Sequence, residues 1–430
     1  MEKRTHFCKE LKRELIGKRV KVNGWVQDVR NLGSLLFITL KDVSGFAQAV
    51  FNKLECSKEV FKLAEEVKRQ SCVSIAGTVK ETKAKGLEVE IKAEDIKLIS
   101  EAEHPLPVDP TGRVPASIDV RLNARALDLR NPANTAIFKI RSKALQAIRK
   151  VFLDKGFFEV NTPKIIGAGA EGGATLFKVN YFGNTAYLAQ SPQLYKEQLT
   201  ASLERVFEIA DFFRAEKSST RRHLSEFISI DVEAAYWDEN DVMSLAEDII
   251  IGVTKAVLEE CEEEFEILNY KPPIQNKPFP RITYLQAVKD LQDLGIDIEQ
   301  GDDLKDEHLK ILEKRHKGYY FIVDWPAKLK PFYIEKKNEE LSYSFDLQYG
   351  YLEIASGGRR VSKKEVLEER LKGAGVNLEA FKDHLRAFEW GMPPHSGWGM
   401  GFDRLMMVLT GRSNIREVVL YPRDRFRLTP

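Results

Sequence analysis

The chain has 430 residues, enough for two or three domains with a sizeable core. Hydrophobic residues make up 43% and charged residues 30%, yet the formal net charge is only +1. Bulk charge therefore cannot steer a nucleic acid, and such a partner must meet a local basic face. No apolar run reaches membrane-spanning length, and residues 1–11 are charged where a signal peptide would be apolar. No membrane partner is expected, and the expected compartment is the cytoplasm. Cys8, Cys56, Cys72 and Cys261 form no Cys-x-x-Cys clip and read as reduced thiols.

Residues 1–102 read as strands and turns. In 19–29, Val20, Val22, Gly24 and Val26 fall on one side of an alternating segment. Strands are expected at 35–40, 47–51, 71–79 and 87–98, with one helix at 58–68. Five short strands with a helix after the third is the order of an OB-fold β-barrel. Residues 103–133 hold Pro105, Pro107, Pro110, Pro115 and Pro132 and read as a hinge.

From residue 134 to 430 the pattern is that of an α/β domain, making the whole chain α/β multidomain. Ile137, Ile140, Ala144, Ile148 and Val151 recur at helical spacing until Gly156. Strands are expected at 157–160, 187–190, 205–209 and 227–235, and helices at 242–259 and 378–390. Residues 262–318 are charged and weakly patterned, and read as an insertion.

Three segments carry chemistry. Residues 207–236 place Arg214 and Glu216 at a strand end, then a polar turn, then His223, Phe227, Asp231 and Glu233 on a returning strand. A guanidinium offers a planar fork to phosphate, and an aromatic ring offers a face to a purine. In 397–409, three glycines precede an apolar helix carrying Arg404, which is hard to bury without an anionic partner. In 345–360, Asp346 and Glu353 are paired acids of the kind that hold Mg²⁺ together with phosphates, and Ser356, Gly357 and Gly358 read as a bend. Taken singly, each segment also fits a solvated hairpin, a core helix with a paired arginine, or a surface strand.

Together the three segments resemble motifs 2 and 3 and the intervening metal-binding strand of class II aminoacyl-tRNA synthetases. Residues 140–163 resemble motif 1, the dimer-forming helix and strand. The resemblance spans nearly the whole chain. It is nearest to the aspartyl/asparaginyl/lysyl subgroup, and within it to aspartyl-tRNA synthetases of archaeal type. It implies an antiparallel catalytic sheet flanked by helices, ATP and Mg²⁺ as cofactors, L-aspartate and tRNA(Asp) as substrates, and a homodimer. By the same resemblance Arg214 contacts the α-phosphate, Glu216 the adenine amino group, and Arg404 the γ-phosphate. The two arginines are the catalytic pair. His223 and Leu224 lie beside the pyrophosphate end, and Phe227 stacks on adenine. Asp346, Glu353 and Ser356 form the metal site.

The segment 190–198 (QSPQLYKEQ) resembles the amino-acid pocket, with Lys196 and Arg360 meeting the side-chain carboxylate of aspartate. Gln193 and Asp231 hold the α-amino end, and Ser356 lies close. Glu171 sits at the tip of a closing loop at 167–177. In asparaginyl enzymes an apolar residue stands in place of Lys196. In the barrel, Phe37 corresponds to the residue that stacks on the central anticodon base, and Arg30, Gln48 and Glu90 to groups that read base edges. Gln27 departs from the resemblance: a tryptophan there marks aspartate-only archaeal enzymes and a histidine relaxed ones. Charging of tRNA(Asn) stays open on this reading. The alternatives are an asparaginyl enzyme, a class II paralogue with another role, and a plain OB-fold binder.

Overall fold

The computed structural model describes residues 2–82, 86–167, 176–216 and 220–430. The chain divides into two compact units, Met1–Val120 with Ala126–Arg130, and Arg121–Arg125 with Asn131–Pro430.

The first unit holds strands β1 (Arg19–Asn31), β2 (Leu35–Lys41) and β3 (Phe46–Asn52), helix α1 (Lys58–Glu66), and strands β4 (Cys72–Glu81) and β5 (Val89–Ser100). The strands close into a barrel in the order β1-β2-β3-β5-β4. Alternation explains its filling: Val20, Val22, Val26, Leu36, Ile38 and Leu40 are buried inside, while the residues between them face out. The register of β1 against β2 slips between Val26 and Asp28, so Gln27 is the extra residue of a β-bulge.

After the short helices α2 (Ile118–Asn123) and α3 (Arg125–Asp128), α4 runs Pro132–Asp154. It starts earlier than the apolar spacing suggests, because Asn131 caps it and Pro132 is pre-set for a first helical turn. Residues from Pro132 thus belong to a helix rather than to the expected hinge. The buried stripe is Ala136, Ile137, Ile140, Ala144, Ile148 and Phe152. It packs within the chain against α6 (Glu239–Glu260) and α7 (Glu262–Leu268). The apolar face of the helix that resembles motif 1 is thus buried without a second copy. What stays exposed is Leu153, Phe158 and Ile165.

The remaining elements are β6 (Phe158–Glu159), β7 (Ile165–Ile166), β8 (Lys178–Tyr181), β9 (Asn184–Leu188), α5 (Gln193–Leu203), β10 (Arg205–Phe213) and β11 (Glu226–Ala235), followed by α6 and α7. Then come β12 (Arg281–Thr283), α8 (Tyr284–Asp293), α9 (Asp306–Leu312), β13 (Tyr319–Val323), β14 (Ser344–Tyr349), β15 (Leu352–Arg359), α10 (Lys364–Gly373), α11 (Lys382–Phe388), β16 (His395–Gly401) and α12 (Phe402–Thr410). Eight strands form one sheet in the order β12-β13-β14-β15-β16-β11-β10-β6. It is antiparallel except at its two edges, β12–β13 and β10–β6. The insertion therefore holds folded structure of its own and supplies an edge strand.

Period-two alternation decides the two faces of this sheet. Ile230, Val232 and Ala234 of β11 and Trp398 and Met400 of β16 join the core with α4, α6 and α12. Ser229, Asp231 and Glu233 point the other way, and α5 lies against β10 and β11 with a buried stripe of Gln193, Lys196, Glu197 and Thr200. A helix whose buried face is polar marks a site rather than a core.

Candidate active site

A cleft of about 320 Å³ opens on this polar face. It is lined by Gln193, Arg214, Glu216, His223, Leu224, Phe227, Asp231, Glu353, Ser356, Arg360 and Arg404. Lys196 and Asp346 sit directly behind that wall, each bonded to a lining residue. Glu171 lies outside the described residues.

One end of the cleft is a buried charge cluster. Lys196, with a side chain only 2% exposed, donates to Asp231 Oδ1 at 2.9 Å and to the Trp398 carbonyl at 3.1 Å. Its Nζ is also 3.5 Å from Glu233. Arg360 forks onto Glu233 at 2.8 and 3.2 Å, and Ser229 donates to Asp231 at 2.6 Å. Burial alone would lower the Arg360 pKa, but Glu233 outweighs it and holds it raised. Gly399 pairs with Asp231 across β16 and β11, and a Cβ there would stand 3.1 Å from Asp231 Oδ1. The glycine leaves room for a ligand above that carboxylate.

Behind Gln193 lies a second buried group. Gln193 donates to Glu197 at 2.6 Å, and His395 and His384 stand 3.5 and 3.7 Å from the other Glu197 oxygen. Burial opposes the Glu197 charge, but His395 and then His384 hold its pKa below the ordinary carboxylate value. Burial likewise opposes the His395 charge, and Glu197 raises its pKa, while burial lowers that of His384.

The other end gathers cations. Arg214 lies 5.1 Å over the Phe227 ring. Arg404 donates to the Glu353 carbonyl at 2.9 Å and has its nearest carboxylate contact, Glu353 Oε1, at 3.6 Å. Burial lowers the Arg404 pKa, Glu353 counters, and Arg214 lowers it further. Arg222 donates to the Tyr351 carbonyl and pairs with Asp306 of the insertion. His223, bonded to Thr220 at 2.6 Å, has its pKa brought down to about 4 by burial and by Arg404, Arg222 and Arg214. It is neutral at neutral pH. Three arginines, Arg214, Arg222 and Arg404, line this end of the cleft and suit a polyanion.

Glu353 and Ser356 are three residues apart and would face opposite ways on an unbroken strand. A bulge resolves this. Asp346 pairs with Ser356 and Leu347 with Ala355, but Gln348 pairs with Glu353, leaving Ile354 extra. Asp346, Glu353 and Ser356 thereby share one face. Burial, then the neighbouring Asp346 carboxylate, raises the Glu353 pKa, although 44% of its side chain remains open. The expected bend at Ser356–Gly357–Gly358 is instead the middle of β15. Gly357 is required there because a Cβ would stand 2.8 Å from Trp398 Cα. Among the described residues no three His, Cys, Asp or Glu side chains cluster as a complete metal site. Two carboxylates and a hydroxyl are a partial, hard oxygen set of the kind that suits Mg²⁺ shared with phosphates.

The family profile for class II tRNA synthetases (D, K and N) matches residues 117–425, and an OB-fold nucleic acid binding domain profile matches residues 20–99. The chain belongs to the class II aminoacyl-tRNA synthetases. It is 48% identical to an aspartate–tRNA(Asp/Asn) ligase of Sulfurisphaera tokodaii, over 99% of this chain and 100% of that one. It is 46% identical to an aspartate–tRNA(Asp) ligase of Pyrococcus horikoshii, over 99% of this chain and 100% of that one. Among solved structures, asparaginyl-tRNA synthetase from Pyrococcus horikoshii with asparaginyl-adenylate superposes with a TM-score of 0.93 at 33% identity, covering 100% of both chains.

The segment that resembles motif 2 includes the antiparallel pair β10–β11, and the segment that resembles motif 3 includes β16 and α12. Sequence reasoning left Glu233 without a role, although its spacing of two from Asp231 signals the same face. It missed Glu197, which the polar stripe of α5 could have suggested, and His384 and His395, which lie on α11 and β16. Lys330 and Arg222 carried no signal, since a lone cation on a loop has none. In the barrel, Phe37 faces away from the buried Leu36 and Ile38 and pairs across strands with Arg30. Gln48 donates to Glu90 at 2.7 Å. Gln27 accepts from Gln70 at 3.4 Å, and Arg69 donates to its carbonyl. Among the described residues no helix is long and apolar enough to cross a membrane.

Proposed function

We propose that this chain is an aspartate–tRNA ligase that joins L-aspartate to tRNA(Asp) through an aspartyl-adenylate. The observation that carries this is the pairing, in one cleft, of a phosphate-binding end with an amino-acid end where Lys196 and Arg360 converge. The aspartate ammonium takes Asp231 and the Gln193 end, and its side-chain carboxylate takes Lys196 and Arg360. ATP lies over Phe227, with Arg214 at the α-phosphate, Arg404 at the γ-phosphate, and Glu216, His223 and Leu224 around the nucleotide. The substrate α-carboxylate oxygen attacks the α-phosphorus and the bond to pyrophosphate breaks. No general base is needed, because the nucleophile is already an anion. Catalysis is positioning plus stabilisation of charge by Arg214 and Arg404. Asp346, Glu353 and Ser356 fit a shared Mg²⁺, which would neutralise phosphate charge. Glu171 completes the aspartate-binding set in this reading.

Charging with labelled aspartate, run side by side on tRNA(Asp) and tRNA(Asn), tests the assignment. Aspartate must be attached to tRNA(Asp); no aspartate attached, with labelled asparagine attached in a parallel reaction, would refute it. The same assay separates a one-tRNA enzyme from a two-tRNA enzyme. Phe37→Ala should weaken charging by the loss of one base stack, about 1–3 kcal/mol, and leave ATP–pyrophosphate exchange unchanged. Equal loss in both would return Phe37, Arg30, Gln48 and Glu90 to a structural role.

The asparaginyl reading has support in the superposition with an asparaginyl enzyme. The buried cation Lys196 weighs against it. A homodimer is part of the proposal: Leu153, Phe158 and Ile165 are apolar, exposed and adjacent to the motif 1 helix. Sedimentation at micromolar concentration should give a dimer, and Phe158→Glu should give monomers.

A further inference from the structure

We infer that Lys330 is a resident counter-ion of the metal subsite, holding Asp346 until a triphosphate arrives and so making metal loading contingent on ATP. The inference rests on the proposed assignment of Asp346 and Glu353 as metal ligands. Lys330 follows a 3-10 turn, Ala327–Leu329, outside the segments that resemble the family's motifs. Its Nζ donates to both oxygens of Asp346, at 2.9 and 2.8 Å. The ammonium also stands 4.2 Å over the Trp325 ring. The side chains of Lys330 and Asp346 are only 11% and 4% exposed. Lys330 nevertheless lines the nucleotide cleft.

A carboxylate with an ammonium on both oxygens has part of its charge and its lone pairs engaged before a divalent cation arrives. A cation placed beside Asp346 would in addition face the ammonium at close range, where like charges repel strongly in a partly dry cleft. A triphosphate changes both conditions. It brings several negative charges into the same cleft, giving the ammonium a new partner and the metal new oxygen ligands. The flexible four-carbon stem of lysine can make that exchange, whereas a rigid fork would not. Metal and nucleotide then enter together. Lys330 is a positioning residue in this account.

The test uses the full chain and Mn²⁺ as the probe, with free ion counted by electron paramagnetic resonance. Without nucleotide, wild type should bind Mn²⁺ at least tenfold more weakly than Lys330→Met. With a non-hydrolysable ATP analogue present, wild type should bind Mn²⁺ well, and Lys330→Met should bind the analogue more weakly than wild type does. Lys330→Arg keeps the charge and should exclude nucleotide-free Mn²⁺ as wild type does. The same Mn²⁺ affinity for wild type and Lys330→Met without nucleotide, whether tight or undetectable, overturns the inference. The double variant Lys330→Met/Asp346→Asn should lose the gained ion. If the ion stays, it is not at Asp346, and the metal assignment itself fails. Melting curves check folding of each variant, and Lys330→Gln replaces Lys330→Met if the latter does not fold, judged by the same readout.

Discussion

Lys196→Leu should lower aspartate-dependent ATP–pyrophosphate exchange by two or more orders of magnitude, and wild type should prefer aspartate to asparagine by a similar margin. The two amino acids have nearly equal volume, so packing cannot separate them. They differ by one charge and by amide donor hydrogens. Lys196 is bound by Asp231 and Glu233, and Arg360 by Glu233, so the cluster is neutral within itself. In the proposed pose, an arriving aspartate brings an ammonium for Asp231 and a carboxylate for Lys196. One buried ion pair is exchanged for two, and no charge is stranded.

Asparagine brings the same ammonium but only an amide. Lys196 then loses Asp231 to the ligand and meets a neutral group in return. A stranded buried charge costs on the order of 3–5 kcal/mol. At about 1.4 kcal/mol per decade this is a roughly hundred- to several-thousand-fold preference. Glu233 at 3.5 Å softens the loss, so the lower end of that span is expected. Discrimination of this size requires no separate editing site. Lys196→Leu does not create an asparagine enzyme, because Arg360 remains. Exchange kinetics with each amino acid, alongside a melting curve for the variant, decide the matter. Equal exchange with asparagine and aspartate, or an unaltered rate in Lys196→Leu, would sink the pocket assignment.

The parts legible in the sequence were those with a period. Barrel strands, β11 and the stripe of α4 all follow from spacing, and the chemistry of β11 follows from Phe227, Asp231 and Glu233 falling on one face. Bulges were illegible, because they break the period without changing composition. That is why Ser356 read as a bend, and why the alignment of Glu353 with Asp346 could not be seen. Buried networks between distant segments were also hidden. Glu197, His384 and His395 lie on three separate elements, and only tertiary packing brings them together. For α4, the period was read well but the partner was not: the stripe is filled by α6 of the same chain. Periodicity reports that a face is buried, not what buries it.

Arg404→Ala should reduce ATP–pyrophosphate exchange by about 10- to 150-fold at subsaturating ATP, chiefly through weaker ATP binding. The argument begins with where the guanidinium is placed. It sits on α12, just after the glycine-rich β16, and Gly401 leaves the backbone close beneath it. It is anchored by donating to backbone carbonyls of Glu353 and Arg222, neutral acceptors that orient the fork without cancelling its charge. The Glu353 carboxylate lies at 3.6 Å, and Glu216 also acts on the guanidinium. Burial and the like-charged Arg214 lower its pKa, and Glu353 and Glu216 do not fully offset them. A phosphate relieves that repulsion, so its hydrogen bonds are charge-assisted and worth about 1.5–3 kcal/mol. This range, at about 1.4 kcal/mol per decade, sets the expected loss. Alanine also removes an unfavourable pairing with Arg214, so the variant should fold and its melting temperature should not fall steeply. Lysine at the same position should recover only part of the activity, since a point charge cannot replace the fork. Full exchange in a folded Arg404→Ala would place the γ-phosphate elsewhere and leave Arg222 and Lys330 as the cations to test next.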